Sequence, residues 1–170
     1  GTELQKEKFL KPLLNGDKRV CYSMTEKASG ADATGMRTTA VKDGDENYVL
    51  NGEKWFSSAA SAADLAVVMA RTDPDAPRHQ QCSTFIVELP NPGYVIKRDI
   101  KTMAVEGPLS HIMGGGHSEI EIKDLVIPAE NLLGGEGQGF NMGQHRLAYG
   151  RLRHGMHNVA MAQRALDMAT

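Results

Sequence analysis

Along residues 3–14 the apolar side chains Leu4, Phe9, Leu10, Leu13 and Leu14 recur at mostly helical spacing among charges, and Asn15-Gly16 follows where the pattern stops. That spacing predicts a short amphipathic helix closed by glycine. From Val20 the period shortens. Runs of Val, Ile, Thr and aromatic residues separated by Gly, Asp, Asn and Pro predict strands near 20–24, 36–42, 46–50, 53–57, 64–71, 83–89, 94–101 and 118–127. Asp43-Gly44-Asp45 and Asn51-Gly52 carry residue types that tolerate positive φ in tight hairpins, so three of these strands are expected to form a meander. Many short strands without intervening helices indicate a mainly β domain, an antiparallel sandwich or barrel, and not a doubly wound parallel sheet. Thr72 to Gln81, with Pro74 and Pro77, reads as a surface loop, and Gly114-Gly115-Gly116 as an irregular turn.

After Pro128 the pattern changes again. Gly134, Gly135, Gly137 and Gly139 precede a helical pattern that runs from about Phe140 to the end of the chain through Leu147, Leu152, Met156, Val159, Ala160 and Leu166. A short leading helix and a long closing helix with an uncovered apolar stripe are expected of a segment cut from a longer polypeptide, since burial against a partner supplies most of a helix's stability. The expected organisation is the end of a helical domain at 1–16, a central β-domain at 17–134, and a hinge with the first helix of another domain at 135–170.

Composition narrows the function classes. A net charge of -2 with both signs scattered along 170 residues argues against nucleic acid or an anionic membrane as partner. No run approaches the roughly 18 apolar residues of a membrane helix, and Gly1 to Lys6 lack the apolar stretch of a signal peptide, so an intracellular protein is expected. Cys21 and Cys82 lack metal or redox spacing and read as buried small hydrophobes. His111, His117, His145, His154 and His157 cluster late in the chain, but His154 and His157, one turn apart, have no carboxylate at matching spacing, so no metal site is expected.

The glycine-rich run Gly135-Glu136-Gly137-Gln138-Gly139 has the wrong register for a phosphate loop and lacks a βαβ context, which leaves a hinge as its reading. No Gly-x-Ser-x-Gly elbow supports hydrolase chemistry. Glu119 and Glu121 alternate on one strand and read as a solvated sheet face. Two segments are more specific: Cys21-Tyr22-Ser23-Met24-Thr25-Glu26 with Asp32, and Asn51-Gly52-Glu53-Lys54-Trp55-Phe56-Ser57-Ser58. Trp55-Phe56 alone reads as core packing. With hydroxyls beside it, the pair suits a flavin, whose ring edge presents carbonyl oxygens and the N5 acceptor and needs short donors next to an apolar face. Thr25 and Ser58 are suitable donors.

The order of these segments resembles the acyl-CoA dehydrogenase family along nearly the whole chain. The first segment is similar to the family's Met-Thr-Glu-Pro run ending in Ser-Asp, and Leu50 to Ser58 to its Asn-Gly-x-Lys run leading to an aromatic pair and a Ser or Thr. Leu125 to Phe140 resembles the passage from β-domain to C-terminal helices, and Tyr149-Gly150-Arg151 the substrate-side arginine motif. The likeness is greatest to the branch reading Trp-Trp-Ser-Ser-Gly-Ala, associated with longer acyl chains and some hydroxyacyl-CoAs.

The resemblance implies FAD as cofactor, with Tyr22, Ser23, Met24, Thr25, Phe56, Ser57 and Ser58 as its binding set: Thr25 donates to the pyrimidine edge, Phe56 packs on the ring, and Ser58 approaches N5. Ala31, Tyr149, Gly150 and Arg151 fall on the acyl-CoA side. The implied reaction is α,β-dehydrogenation of an acyl-CoA in fatty acid β-oxidation, with an electron-transfer flavoprotein as electron acceptor and a homodimer or homotetramer as the assembly. The compartment would be the cytoplasm of a bacterium or the mitochondrion or peroxisome of a eukaryote. Lys27 replaces the family's Pro, and Ala31 its Ser, with Ser29 nearby as a stand-in; Phe56 replaces a Trp. The family's base comes from a later loop or from the position before the motif arginine, here Gly150, so the chain is expected to lack a catalytic residue and to turn over no acyl-CoA. An acyl-CoA oxidase or nitroalkane oxidase, or a non-catalytic binding or assembly module of the same fold, stays open beside this reading.

Overall fold

A computed structural model describes residues 1–102 and 116–170; His111 and the first two glycines of the 114–116 run lie outside the described residues. Helix α1, residues 3–15, joins an α turn Glu3–Gln5, a π stretch Lys6–Leu10 and a second α stretch Lys11–Asn15. Thr2 and Gln5 cap its start reciprocally, and Gly16 ends it at φ 80°. The helix is fixed to the body at two points. Gln5 Nε2 donates to the carbonyls of Glu130 and Leu132 at 2.7 and 2.9 Å, and Phe9 is buried against Leu65 and Ile86.

Eight strands follow among the described residues: β1 Val20–Ser23, β2 Thr39–Asp43, β3 Asn47–Ser58, β4 Leu65–Arg71, β5 Cys82–Glu88, β6 Tyr94–Ile100, β7 His117–Pro128 and β8 Leu132–Leu133. They hydrogen-bond in the order β6-β7-β3-β2-β4-β5-β8, with β1 beside β4. One aligned pair, Thr39 with Arg71, joins the β6-β7-β3-β2 half to the β4-β5-β8 half. The two halves share one apolar core, in which Leu50, Ile120, Ile122 and Leu125 meet Val68, Phe85 and Val87. Tyr48 of β3 and Phe85 of β5 meet across it with ring centroids 4.9 Å apart.

The β-rich core between a short N-terminal and a long C-terminal helix agrees with the sequence pattern, and the Asp43-Gly44-Asp45 hairpin forms, with Gly44 at φ 65°. Two expectations are corrected. The pairing is not wholly antiparallel, because β1 runs parallel to β4 and β2 meets β4 in parallel. Asn51-Gly52 is no turn: residues 47–58 form one strand that bulges against β7 between Leu50 and Gly52. The reason is a close approach by another part of the backbone. Gly52 takes φ 151°, and a Cβ there would lie 2.7 Å from Thr38 Cα.

Helix α2, Gly139–Ala169, is seated on the sheet by its first turns only. A Cβ on Gly139 would lie 2.8 Å from the Cys82 carbonyl oxygen, and one on Gly143 would lie 3.0 Å from Met69 Cε and 3.5 Å from the Tyr22 hydroxyl. These two glycines, one helical turn apart, let α2 pass close over β4 and β5. From Arg151 onward every residue of α2 is exposed, including Leu152, Met156, Val159 and Leu166. His154 and His157 are on this exposed length, and among the described residues no group of three potential metal ligands converges. No helix among the described residues is long and apolar enough to cross a membrane.

Candidate functional site

The two segments singled out in the sequence lie side by side. The Trp55 N–H donates to the Thr25 carbonyl at 2.7 Å, just past the end of β1. Beneath that contact Lys54 and Glu26 form an ion pair at 2.9 Å with both side chains shut off from water. Lys54 Nζ also donates to the Met24 carbonyl at 3.1 Å, and the Glu26 carboxylate accepts from the backbone N–H groups of Arg37 and Thr38 at 2.6 and 2.9 Å. Burial alone would raise the Glu26 carboxyl, but the Lys54 charge and these hydrogen bonds outweigh it and hold the group below its ordinary value. Burial pulls the Lys54 ammonium down, opposed by the same carboxylate.

The strand β3 then breaks its alternation. Its register against β7 shifts between Lys54 and Ser57, and Phe56 takes φ 56°, a conformation rare for an aromatic residue. The bulge turns Phe56 outward, 44 % exposed, while Ser57 is buried and Ser58 is exposed. Trp55 is half-buried beneath two cations, Lys27 at 4.8 Å and Arg98 at 5.6 Å from its ring. Neither aromatic joins the core. Lys27 and Arg98 both hold Glu119, whose carboxyl they keep below its usual value, and Lys97 pairs Glu121 at 3.1 Å, so the two glutamates stand in ion pairs on the sheet face.

Ser23 and Ser57 are internal. Their hydroxyls lie 2.9 Å apart, Ser23 also bonds the Tyr94 hydroxyl at 2.8 Å, and the Cys21 sulfur is 3.6 Å from that hydroxyl. Burial pushes both the Cys21 thiol and the Tyr94 phenol up, so this cluster is neutral. It ties β1, β3 and β6 together behind the exposed residues. Of the seven residues expected to line a flavin, Ser23 and Ser57 therefore present no side chain outward.

Tyr22 and Ser58 share a cavity of about 330 Å³ with Val20, Cys21, Val67 and Arg146. The Arg146 guanidinium stands 4.3 Å from the Tyr22 ring centroid, and Ser58 Oγ lies 2.7 Å from His117 Nδ1. The phenol of Tyr22 is raised by burial, against which the Arg146 charge works. Met24, Ala31 and Arg151 line a second cavity of about 460 Å³ with Asp32, His79 and Phe140. At its rim Arg78 pairs Asp32 at 2.7 Å, and the Thr34 hydroxyl is the main influence that keeps the Asp32 carboxyl below its usual value. Ser29 is buried and donates to the Asp32 carbonyl, so it does not take the place left by Ala31.

Tyr149 is 80 % exposed and Gly150 has open space around it, so neither reaches the second cavity, whereas Arg151 does. Thr25 meets the second segment through its backbone. Sequence reasoning did not find Arg146, His117 or the Gly139/Gly143 seat. The glycine pair had a signal in its four-residue spacing; His117 had none, because the strand register alone sets it opposite Ser58. A cavity of about 670 Å³ lies elsewhere, between the 72–81 loop and the hinge. There Glu136 accepts from the Tyr48 hydroxyl and pairs Lys42 at 3.0 Å, which pins the hinge to the hairpin.

Residues 21–122 match the family described as acyl-CoA dehydrogenase, middle domain. The chain is 41 % identical to mouse acyl-CoA dehydrogenase family member 10 over 99 % of its own length and 15 % of that protein. It is 42 % identical to the probable acyl-CoA dehydrogenase FadE2 of Mycobacterium tuberculosis over 99 % of its length and 40 % of that protein. The fold aligns with a putative acyl-CoA dehydrogenase structure from Mycobacterium abscessus at a TM-score of 0.80 and 36 % identity, over 92 % of this chain and 38 % of that one. The chain thus spans less than half the length of these relatives.

Proposed function

The chain belongs to the acyl-CoA dehydrogenase family, and from that footing we propose that it forms one wall of an FAD site in an enzyme that dehydrogenates acyl-CoA thioesters between the α and β carbons. The observation that carries this reading is the bulge that turns the Phe56 ring outward beside the exposed Ser58 hydroxyl, at the cavity Ser58 shares with Tyr22. The residues present fit the cofactor: an exposed aromatic face, a short hydroxyl donor and a cavity walled by Tyr22, Val20 and Val67. Bound there, FAD supplies the hydride acceptor for the β-hydrogen.

The chain's own residues divide the work. Phe56 and Tyr22 offer apolar faces, Ser58 and Thr25 stand as polar contacts at the edge, and the Lys54–Glu26 pair keeps the two segments in register from below. Ala31 and Arg151 shape the acyl-CoA side, and Met24, expected on the flavin, lines the same cavity. The carboxylate of that second cavity, Asp32, is paired with Arg78 and held low, so it is a poor acceptor for an α-proton. No base for this step is therefore assigned among the described residues, and by itself the chain is expected to be inactive. On the same reading, electrons pass to an electron-transfer flavoprotein, the subunits assemble as a dimer or tetramer, and the enzyme works inside the cell.

Titration with FAD, followed by quenching of flavin fluorescence, tests the reading. Phe56→Ala and Ser58→Ala are expected to weaken binding roughly 3- to 10-fold each, the equivalent of about one lost contact. Unchanged binding in both variants would remove the wall, and a parent chain that binds no flavin would favour a binding or assembly module. Dehydrogenation of acyl-CoA by the chain alone, with an artificial electron acceptor, would show that it holds a base.

A further inference from the structure

His117 stands opposite Ser58 in the β3–β7 ladder, past the register shift between Lys54 and Ser57, and its Nδ1 lies 2.7 Å from Ser58 Oγ. The His117 ring also meets the Phe56 ring edge-on with centroids 5.9 Å apart. One imidazole therefore touches both outward-facing residues of the second segment. We propose that His117 is a positioning residue that decides which hydrogen-bonding face Ser58 presents to the cofactor; this rests on the FAD reading above.

The physical reason is the inventory of a hydroxyl, which has one proton to give and two lone pairs to receive. With a hydrogen on Nδ1, His117 donates to Ser58 Oγ and the hydroxyl proton is free to point outward. With Nδ1 bare, the ring accepts that proton and Ser58 turns a lone pair outward. An acceptor on the flavin edge calls for the first arrangement. A neutral ring protonated at Nδ1, or an imidazolium, is thus the form that serves binding.

Among the described residues, two polar neighbours of this pair are engaged elsewhere. On β7 the next residue, Ser118, donates to Asp99 Oδ1 at 2.7 Å, and on β6 Arg98 is engaged by Glu119 at 2.7 Å. The β6 residue aligned with His117 is Ile100, which is apolar, and Lys101 follows it with contacts of its own. The Ala59 N–H donates to the Gly116 carbonyl at 2.8 Å, which ties the two strands together on one side of the pair. Ser58 and His117 are both surface-accessible, so the pair can meet a ligand without rearrangement of the sheet.

Imidazole nitrogen NMR and FAD affinity together test the proposal. In the flavin-free protein, Ser58→Ala should shift the His117 Nδ1 resonance and change the tautomer ratio; in the FAD complex of the parent, Nδ1 should carry a hydrogen. His117→Gln and His117→Ala should weaken FAD roughly 3- to 10-fold, and neither should weaken it further in a Ser58→Ala background. The NMR arm needs no substitution of His117, so it holds even where a His117 variant folds poorly. An Nδ1 resonance indifferent to Ser58→Ala, or His117 effects that add fully to those of Ser58→Ala, would overturn the proposal. A parent that binds no FAD would overturn the cofactor reading instead, with the Ser58–His117 pair then decided by the NMR of the flavin-free protein.

Discussion

Lys54 Nζ lies 2.9 Å from Glu26 Oε1 with neither side chain reaching water, and the same ammonium holds the Met24 carbonyl. Two segments that the sequence separates are thus joined by one buried charge pair. Removing a single member leaves the other charge uncompensated. Glu26→Gln and Lys54→Met are each expected to cost about 3–5 kcal/mol, while the double variant should recover much of that loss. Urea unfolding of the four proteins measures the coupling, and additive losses would deny it.

The pair also sets an acid limit. Glu26 is held below its ordinary value in the folded state, so its contribution to stability is present above the unfolded value of about 4.5 and is lost as pH falls through the depressed folded value. Urea midpoints are expected to drop as pH is lowered from 6 to 3. The Glu26→Gln/Lys54→Met protein should show a shallower drop over the same range.

Gly139 and Gly143 predict different outcomes for the same substitution. Alanine at 139 would press on the backbone of Cys82 and Ser83, which cannot yield, and is expected to cost about 1–3 kcal/mol. Alanine at 143 meets the flexible end of Met69 at 3.0 Å. The better helix propensity of alanine, worth about 1 kcal/mol, should offset that contact and leave stability nearly unchanged. Thermal unfolding of both variants checks the contrast.

Phe56 occupies a left-handed conformation that costs a non-glycine residue about 1–2 kcal/mol, yet it stays 44 % exposed and outside the core. Phe56→Gly is accordingly expected to change unfolding free energy by no more than about 1 kcal/mol. Its FAD affinity should fall with the loss of the ring. A large loss of stability in this variant would mean that Phe56 serves the fold and not the site.

Much of the architecture could be read from local pattern. The α1 stop at Gly16, the hairpin at Gly44, most strands and the start of α2 each follow from a signal within a few residues. What could not be read depends on distant chain. Asn51-Gly52 has the composition of a turn, and only the approach of Thr38 makes it a bulge within one strand. Likewise, Ser57 and Ser58 are equivalent as letters. The shift at Phe56 sends the first inward to Ser23 and leaves the second outside, facing a histidine 59 residues away in sequence. The parallel pairing of β1 with β4 is another long-range outcome with no local mark.

The seating of α2 through Gly139 and Gly143 makes the helix a lever. Its 31 residues extend roughly 46 Å, so a tilt of about 5° at Gly143 displaces the far end by about 3 Å, while Arg151, about 12 Å beyond Gly143, moves by only about 1 Å. On the proposed reading, in which Arg151 shapes the acyl-CoA side, a shift of that size would be enough to change a rate about 100-fold. Whatever packs against the exposed length of the helix can therefore adjust the second cavity without touching it.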